Sequence, residues 1–600
     1  MILNVKKPLN ILNHSLLCGV FELFSHKTIL RTQNKIQLAL CGYSLYLVFM
    51  FYIERIFRAC LFIVLCIPSV FGQRVTSLRP DISVDSILKA KPGASKLALD
   101  PITKHLFYTS SNGNIYEVFE TDQTDSLRFT ANDHGLSRLQ GLCFLDSTMY
   151  LAGNIWYSTT GIGMIMKGTL QTNGTRVWTS MLVTEAYPTS SSSGDHGFTG
   201  INVDPSKQFL FFSGGSRTSF GEVASANGNY PGMREQALTS KIYRIPIHAE
   251  NLYWPNDSTF LTNSGFVFAE GTRNAYDMAW NAQNHLFAVD NAGERDDPEE
   301  LNWLQEGQHY GFPWRIGGNT NPLTNPSYDA SQDPLVNPNN SAFLAGHFNA
   351  DPNFPPIPVG IQFTEPLRNY GNAADFYKDE NTGQIKRASE EGTSVRTFTP
   401  HRSPLGLVID RDELLGSIYQ GKSFVMSFMP GGDSTGYTPL SPWGSPCPFV
   451  DSSRELVMMD LQYDSLLADY TIHSANVVSG FYLPVDAEQV GNSIYVIENN
   501  GVLWKLNFPS KLNPPICYQA GLIAYPNPFS STCQVYFPNP SKQLRNFKLY
   551  QSNGQLAYES AQYDLDTYTL SVPNVAAGEY TLILEQGTEI LARQKVIIYD

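Results

Sequence analysis

Short runs in which Leu, Phe, Tyr and Val alternate with polar residues, each closed by a Gly, Asn or Asp turn, recur through most of the chain. Alternation with period two over four to eight residues predicts half-buried β-strands. Strand pairs are predicted at Lys96–Leu99 with Leu106–Tyr108, at Gly141–Phe144 with Met149–Leu151, and at Gly200–Val203 with Phe209–Phe212. The pattern returns at Asp277–Trp280 with His285–Val289 around the turn Asn281–Asn284, at Leu405–Val408 with Ser423–Met426, and at Ala487–Val490 with Ser493–Val496. Two of these units run on into a further strand, Asn114–Val118 and Gly501–Leu506.

Six copies of one antiparallel unit predict an all-β chain whose main domain, over residues 85–510, is a six-bladed β-propeller. Radial repetition of small sheets leaves only short, protected strand edges. The copies are irregularly spaced, so the match rests on pattern and not on a fixed period. Long insertions then fall on loops, the largest being the Asn-, Pro- and Asp-rich stretch Asn319–Pro358. After Pro514 and Pro515 the rhythm changes. Short strands at Gln534–Phe537, Phe547–Tyr550, Tyr568–Leu570, Gly578–Tyr580 and Lys595–Ile598 predict a small β-sandwich over residues 519–600.

The first 72 residues stand apart. Met50–Arg58 forms a basic region, Ala59–Ile67 an apolar core and Ser69–Gly72 a small-residue cleavage site, the order of a secretory signal peptide at 50–72 within a leader of residues 1–72. The alternative, a signal anchor within Leu38–Ile67, is interrupted by Arg55 and Arg58. The formal charge of the whole chain is −14, and the leader holds seven Lys or Arg against two acids, so the remainder is more acidic still. That balance argues against nucleic acid as a partner. Cys143, Cys447, Cys517 and Cys533 lie beyond the leader, too few for a disulfide framework though enough for one or two bridges.

The densest chemistry falls in Gly271–Trp314. A strand pair leads there into a loop holding Glu294, Asp296, Asp297, Glu299 and Glu300, and then into the turn Tyr310–Trp314. Carboxylates clustered on a loop after a strand are suited to a hard cation such as calcium, whereas a solvated acidic loop is the ordinary alternative.

The C-terminal stretch, with its opening YPNPF, central FKLYQSNGQLAY and late AAGEYTLIL, resembles the sorting domain of the bacterial type IX secretion system. That resemblance implies export across the outer membrane by the type IX machinery, to the medium or the cell surface. Its basic terminus is replaced here by QKVIIYD.

Residues from about 85 to 510 resemble the soluble glucose/sorbosone dehydrogenase family, through GLCFL after Gln140, DHGFTGINVD from Asp195, FSGGSRTSFGE from Phe212, the GTRNAYD-to-YGFPW segment and HRSPLGLVID from His401. The resemblance implies a sugar substrate, pyrroloquinoline quinone and calcium as cofactors, and an external electron acceptor. It makes His196 the base that takes the sugar hydroxyl proton, with Asp195 placed to orient the ring. Arg273 and Asn274 would face the quinone oxygens, and Gln140 would add a contact. Calcium would be held by backbone oxygens near Ala292 and Gly293 and by Asp297 and Glu300, while Tyr310 either lines the pocket or packs. The family's cofactor lysine and arginine pair have no counterpart, since Phe424–Met429 and Gly480–Val485 hold no basic residue. Lys422 and Arg402 are the nearest replacements in sequence. Two other readings stay open: a non-catalytic surface propeller that binds glycan or protein, and a calcium-dependent lactonase.

Overall fold

The computed structural model describes residues 75–599 except 191–194, 429–448, 450, 452, 500, 511–521, 538, 540–541, 552 and 588. The expected leader and signal peptide, Cys447 and Cys517 lie outside the described residues. The described chain is mostly β-structure, built as small antiparallel sheets taken up one after another.

Ala94–Leu99, Leu106–Ser110, Ile115–Phe119 and Thr124–Phe129 form the first sheet. Arg138–Leu145, Thr148–Trp156, Thr160–Leu170 and Arg176–Thr184 form the second. The third holds Phe198–Val203, Phe209–Gly214, Lys241–Pro246 and Val267–Glu270, and the fourth Ala275–Trp280, Leu286–Asp290 and Glu300–Leu304. The fifth holds Pro404–Ile409, Ser423–Ser427, Glu455–Asp464 and Asp469–Ser479. Pro484–Val490, Ser493–Glu498 and Val502–Asn507 begin the last, and Ser83–Lys89 from the other end of the domain completes it. The alternation had found the strands but not this pairing.

The leading strand of each sheet packs against the leading strands of the sheets before and after it, and Pro484–Val490 returns to Ala94–Leu99. Between neighbouring sheets lies an apolar cluster: Phe107 with Leu142, Ile165 with Phe212, Phe211 with Met278, Phe287 with Val425, Phe424 with Val496, and Ile497 with Leu97. Both faces of each sheet are therefore buried, which explains strands that read as nearly continuous apolar runs, such as Phe209–Gly214. Each leading strand carries a register shift near its start, Gln140 being the residue left out between Leu139 and Gly141. Bulges of this kind turn side chains away from the pleat and are common beside functional sites.

Among the leading strands, Lys96 is buried with its Nζ 2.9 Å from Asp277 Oδ1 and 3.1 Å from Asp486 Oδ1. Asp486 Oδ2 accepts from Leu97 N at 2.7 Å and Asp277 Oδ2 from Leu407 N at 2.9 Å, so four leading strands share one charged network. Beyond residue 522, Ile523–Tyr525, Thr532–Tyr536 and Thr567–Ser571 form one sheet, and Asn546–Gln551, Leu556–Glu559, Gly578–Gln586 and Glu589–Ile598 another. Both contribute to a single apolar cluster around Val535, Leu549 and Leu582. Tyr525 of YPNPF leans back on the preceding domain, with Arg79 5.0 Å from its ring centroid and its hydroxyl donating to Ser474 O at 3.2 Å.

Candidate active site

His196 lies two residues ahead of the leading strand Phe198–Val203, and Arg273 and Asn274 lie immediately ahead of Ala275–Trp280. Backbone bonds tie the segments together: His196 N donates to Ser216 O at 2.8 Å, Gly215 N to Gly197 O at 3.0 Å, and Ser216 N to Arg273 O at 2.7 Å. Gly215 sits in the middle. A Cβ there would stand 2.4 Å from His196 Cβ and 3.4 Å from Asn274 Oδ1, so the missing side chain keeps the space between the two open.

The His196 ring is oriented by a residue the sequence did not point to. Its Nδ1 lies 3.2 Å from Ser216 Oγ, and Ser216 Oγ in turn donates to Thr218 O at 2.8 Å. With the serine hydrogen committed to a carbonyl, Ser216 accepts, and His196 carries its proton on Nδ1. That leaves the Nε2 lone pair for incoming chemistry. Burial, then the charges of Arg273 and Arg138, push the His196 pKa well below the ordinary histidine value, so the ring is neutral. Asp195 holds the loop: its Oδ1 accepts from Ser190 N at 2.7 Å.

Arg273 is buried, with Nε on Ser219 O at 2.9 Å and Nη1 on Asn291 O at 3.1 Å. Asp290 accepts both backbone amides, Arg273 N at 2.8 Å and Asn274 N at 2.5 Å, which fixes the turn. Asn274 Nδ2 donates to Asn291 Oδ1 at 2.9 Å, while Asn274 Oδ1 is buried without a hydrogen-bond partner among the described residues. A buried acceptor left open is costly unless a ligand or water meets it. Arg217, also missed from sequence, is fully buried and donates to the carbonyls of Pro188, Thr189, Ala224, Met233 and Arg234, so it pins the loop that carries Ser216. Gln140 is half-buried on its bulge.

The acidic loop folds differently from the sequence expectation. Asp297 Oδ1 accepts from Arg295 Nη1 at 2.5 Å and from Asn319 Nδ2 at 2.8 Å. Glu300 accepts from Gly317 N at 2.7 Å and Asn302 Nδ2 at 2.9 Å, and burial followed by the Asp290 charge raises its pKa well above the carboxylate range. Asp296 pairs with Lys378 and His401, and Glu299 accepts from Ala292 N and Ser403 N. These carboxylates staple the loop to its surroundings. Gly293 is packed so close to Phe220 that a Cβ would fall 2.3 Å from the ring. Among the described residues no group of three or more His, Cys, Asp or Glu side chains is arranged to hold a metal ion. A calcium ion on Asp297 and Glu300 therefore does not fit.

The proposed replacement cations are also taken. Arg402 is fully buried against Asp451 and Glu455, and Lys422 Nζ lies 2.6 Å from Asp460 Oδ1. Tyr310 packs, donating to Trp303 O at 2.6 Å. Among the described residues Cys143 and Cys533 are free thiols. A carboxylate-bearing quinone finds a partial fit: Arg273 bonds only to carbonyls and Gly215 leaves room beside His196 and Asn274, whereas the open Asn274 Oδ1 is an acceptor and suits a donor such as a hydroxyl. A cavity of about 480 Å³ lies elsewhere, between the third and fourth sheets, walled by Phe209, Phe211, Phe268, Trp280 and Trp303, and contains none of these residues.

A mostly β-protein with a neutral, aimed histidine and a second β-unit behind it is the class that fold and site define. Residues 146–341 match the family described as Glucose / Sorbosone dehydrogenase, and residues 523–599 match the secretion system C-terminal sorting domain. The chain thus carries a glucose/sorbosone dehydrogenase family domain and a type IX sorting domain, which marks the protein for the medium or the cell surface. No curated protein matches the sequence. Among solved structures the chain is similar to the soluble aldose sugar dehydrogenase of Escherichia coli in its apo form, at 15% identity over 71% of this chain and 99% of that one, with a TM-score of 0.43. The PQQ-bound aldose sugar dehydrogenase of Streptomyces coelicolor shares 13% identity over 72% of this chain and 99% of its own, with a TM-score of 0.41. The PQQ domain of pyranose dehydrogenase from Coprinopsis cinerea shares 10% over 72% and 97%, with a TM-score of 0.43.

Proposed function

We propose that the protein is an exported quinone-dependent dehydrogenase that oxidises a sugar or related alcohol, with the ring of sheets acting as a six-bladed propeller over residues 85–510 and the C-terminal unit, 519–600, as a sandwich. The observation that carries the reading is the His196–Ser216–Thr218 chain, which presents an unprotonated Nε2 from a ring held neutral. Oxidation of an alcohol to a carbonyl removes a hydride from carbon and a proton from oxygen. Pyrroloquinoline quinone, when bound, would supply the hydride acceptor. His196 Nε2 takes the hydroxyl proton, and a base whose pKa lies below the working pH is ready to do so without first losing a proton of its own. Arg273, fixed by two carbonyls and close enough to act on the His196 charge, sets a positive field where negative charge develops on reduction. Asn274 Oδ1 borders the same space as an acceptor, and Gln140 is a proposed further contact from its bulge. No step is assigned to calcium.

Titration of the purified protein with pyrroloquinoline quinone, followed by dye reduction with a panel of aldoses, tests the reading. Quinone binding with sugar-dependent dye reduction, lost in His196→Ala with quinone binding kept, is the expected result. Absence of binding at high micromolar quinone refutes it and favours a non-catalytic propeller, the reading that the neutralised Arg402 and Lys422 would then explain.

A further inference from the structure

Arg138 opens the leading strand of the second sheet, two residues before Gln140, and its side chain is exposed. Its guanidinium carbon stands 4.7 Å from the ring centroid of Trp156, the last residue of the neighbouring strand. Stacking on an indole face holds an arginine in place while leaving its N–H groups directed outward. Among the described residues no carboxylate pairs with it, whereas Arg176, Arg295, Arg387 and Arg402 are each neutralised by Asp or Glu. Its strand partner Asn154 donates to Phe198 O at 3.2 Å and accepts from Phe198 N at 3.1 Å, two residues after His196, and directly opposed residues share a face, so Arg138 borders the same space. Trp156 Nε1 is buried without a hydrogen-bond partner among the described residues, a second donor left open at this place. With Arg273, the space around His196 is thus bounded by two arginines that no carboxylate neutralises directly.

We infer that Arg138, seated on Trp156 beside His196, is a subsite for a carboxylate group of a bound ligand. The inference rests on reading the space around His196 as the reaction site. An exposed guanidinium held on an aromatic plate offers two parallel N–H donors at the spacing of a carboxylate's oxygens, which a neutral sugar hydroxyl does not use as well. A carboxylate can come from the quinone, compensating for the basic residues missing from Phe424–Ser427 and Gly480–Val485, or from an acidic sugar such as a uronic acid.

The test uses isothermal titration of the full protein, wild type and Arg138→Ala, with pyrroloquinoline quinone, with glucuronate, and with glucose as the neutral control. Loss of a charge-assisted, two-point contact weakens the carboxylate-bearing probe about tenfold or more and leaves glucose unchanged. Weakening confined to the quinone assigns the subsite to the cofactor, and weakening confined to glucuronate assigns it to the substrate. Arg138→Lys, which keeps charge but not the fork, should recover only part of the loss. Equal binding of both acids by wild type and Arg138→Ala overturns the inference. Arg138-dependent glucuronate binding in a protein that neither binds quinone nor reduces dye would sink the dehydrogenase reading and leave the anion subsite standing.

Discussion

Lys96→Met tests what holds the leading strands together. Lys96 is 3% exposed, and its ammonium is shared between Asp277 and Asp486 and lies 4.7 Å from the Tyr276 ring centroid. Burial opposes the lysine charge, but the two carboxylates outweigh it and hold the pKa above the ordinary lysine value. Met fills nearly the same volume, so the variant removes the charge and little packing. It leaves two acids facing each other in a buried space, and breaking a buried ion pair from one side costs about 3–5 kcal/mol. The chain has one escape, which is to keep a carboxylate protonated. Holding an Asp neutral costs about 1.4 kcal/mol for each pH unit above its unfolded pKa near 3.9. The expected deficit is therefore about 1.5 kcal/mol at pH 5 and about 3–5 kcal/mol at pH 8. The sign follows from proton binding: the folded variant holds a proton that the unfolded chain has released, so its stability falls as pH rises. Urea unfolding followed by tryptophan fluorescence at both pH values gives the deficit as a midpoint shift. Lys96→Met with Asp486→Asn should regain more than half of it at pH 8. A deficit equal at the two pH values, or below about 1 kcal/mol at pH 8, refutes the reasoning.

Ser216→Ala removes the acceptor that fixes the His196 tautomer, and dye reduction should fall about tenfold or more with quinone affinity unchanged; an unaltered rate would count against the Nδ1 assignment. Gly215→Ala places a Cβ 2.4 Å from His196 Cβ, so activity should be lost while urea stability moves far less, as kinetics and unfolding together would show. Burial pushes the half-buried Glu488 up to about 7, above its unfolded value, so the wild type loses stability as pH rises from about 4.5 to 7; Glu488→Gln should flatten that slope by about 1–2 kcal/mol after discounting for solvent, read from urea midpoints across the window. Arg402→Met strands Asp451 and Glu455 and should cost about 3–5 kcal/mol in the same assay.

The strands were legible because each sheet buries both faces and so imposes an apolar pattern on its own residues, as at Leu106–Ser110 and Ser493–Glu498. Ser83–Lys89 was not read as part of the last sheet, because its partner Val502–Asn507 is at the far end of the domain and alternation carries no information about pairing over that distance. His196, Arg273 and Asn274 were found through the family resemblance, and the structure brings all three around Gly215. Ser216 and Thr218 escaped notice since an ST pair in a loop has many uses. The acidic loop misled for a visible reason: Arg295 stands inside it, two residues from Asp297, and a cation within an acid cluster is a sign of internal pairing. Arg402 and Lys422 looked free because Asp451, Glu455 and Asp460 come much later in the chain.

The pairing of Ser83 with Asn507 joins residues 424 positions apart. Contacts so distant in sequence are the slowest to form, since the chain entropy of closing the loop is lost before any contact rewards it. During synthesis the strand Ser83–Lys89 emerges early and must wait, its edge unmatched, until the last sheet has been made. Rotating the chain ends to a loop between two neighbouring sheets, with residues 507 and 83 joined by a short linker, would turn this latest contact into a local one. Such a permutant should reach the same native state by a faster route, whereas cutting the chain before Val502 should leave Ser83–Lys89 with no strand to join.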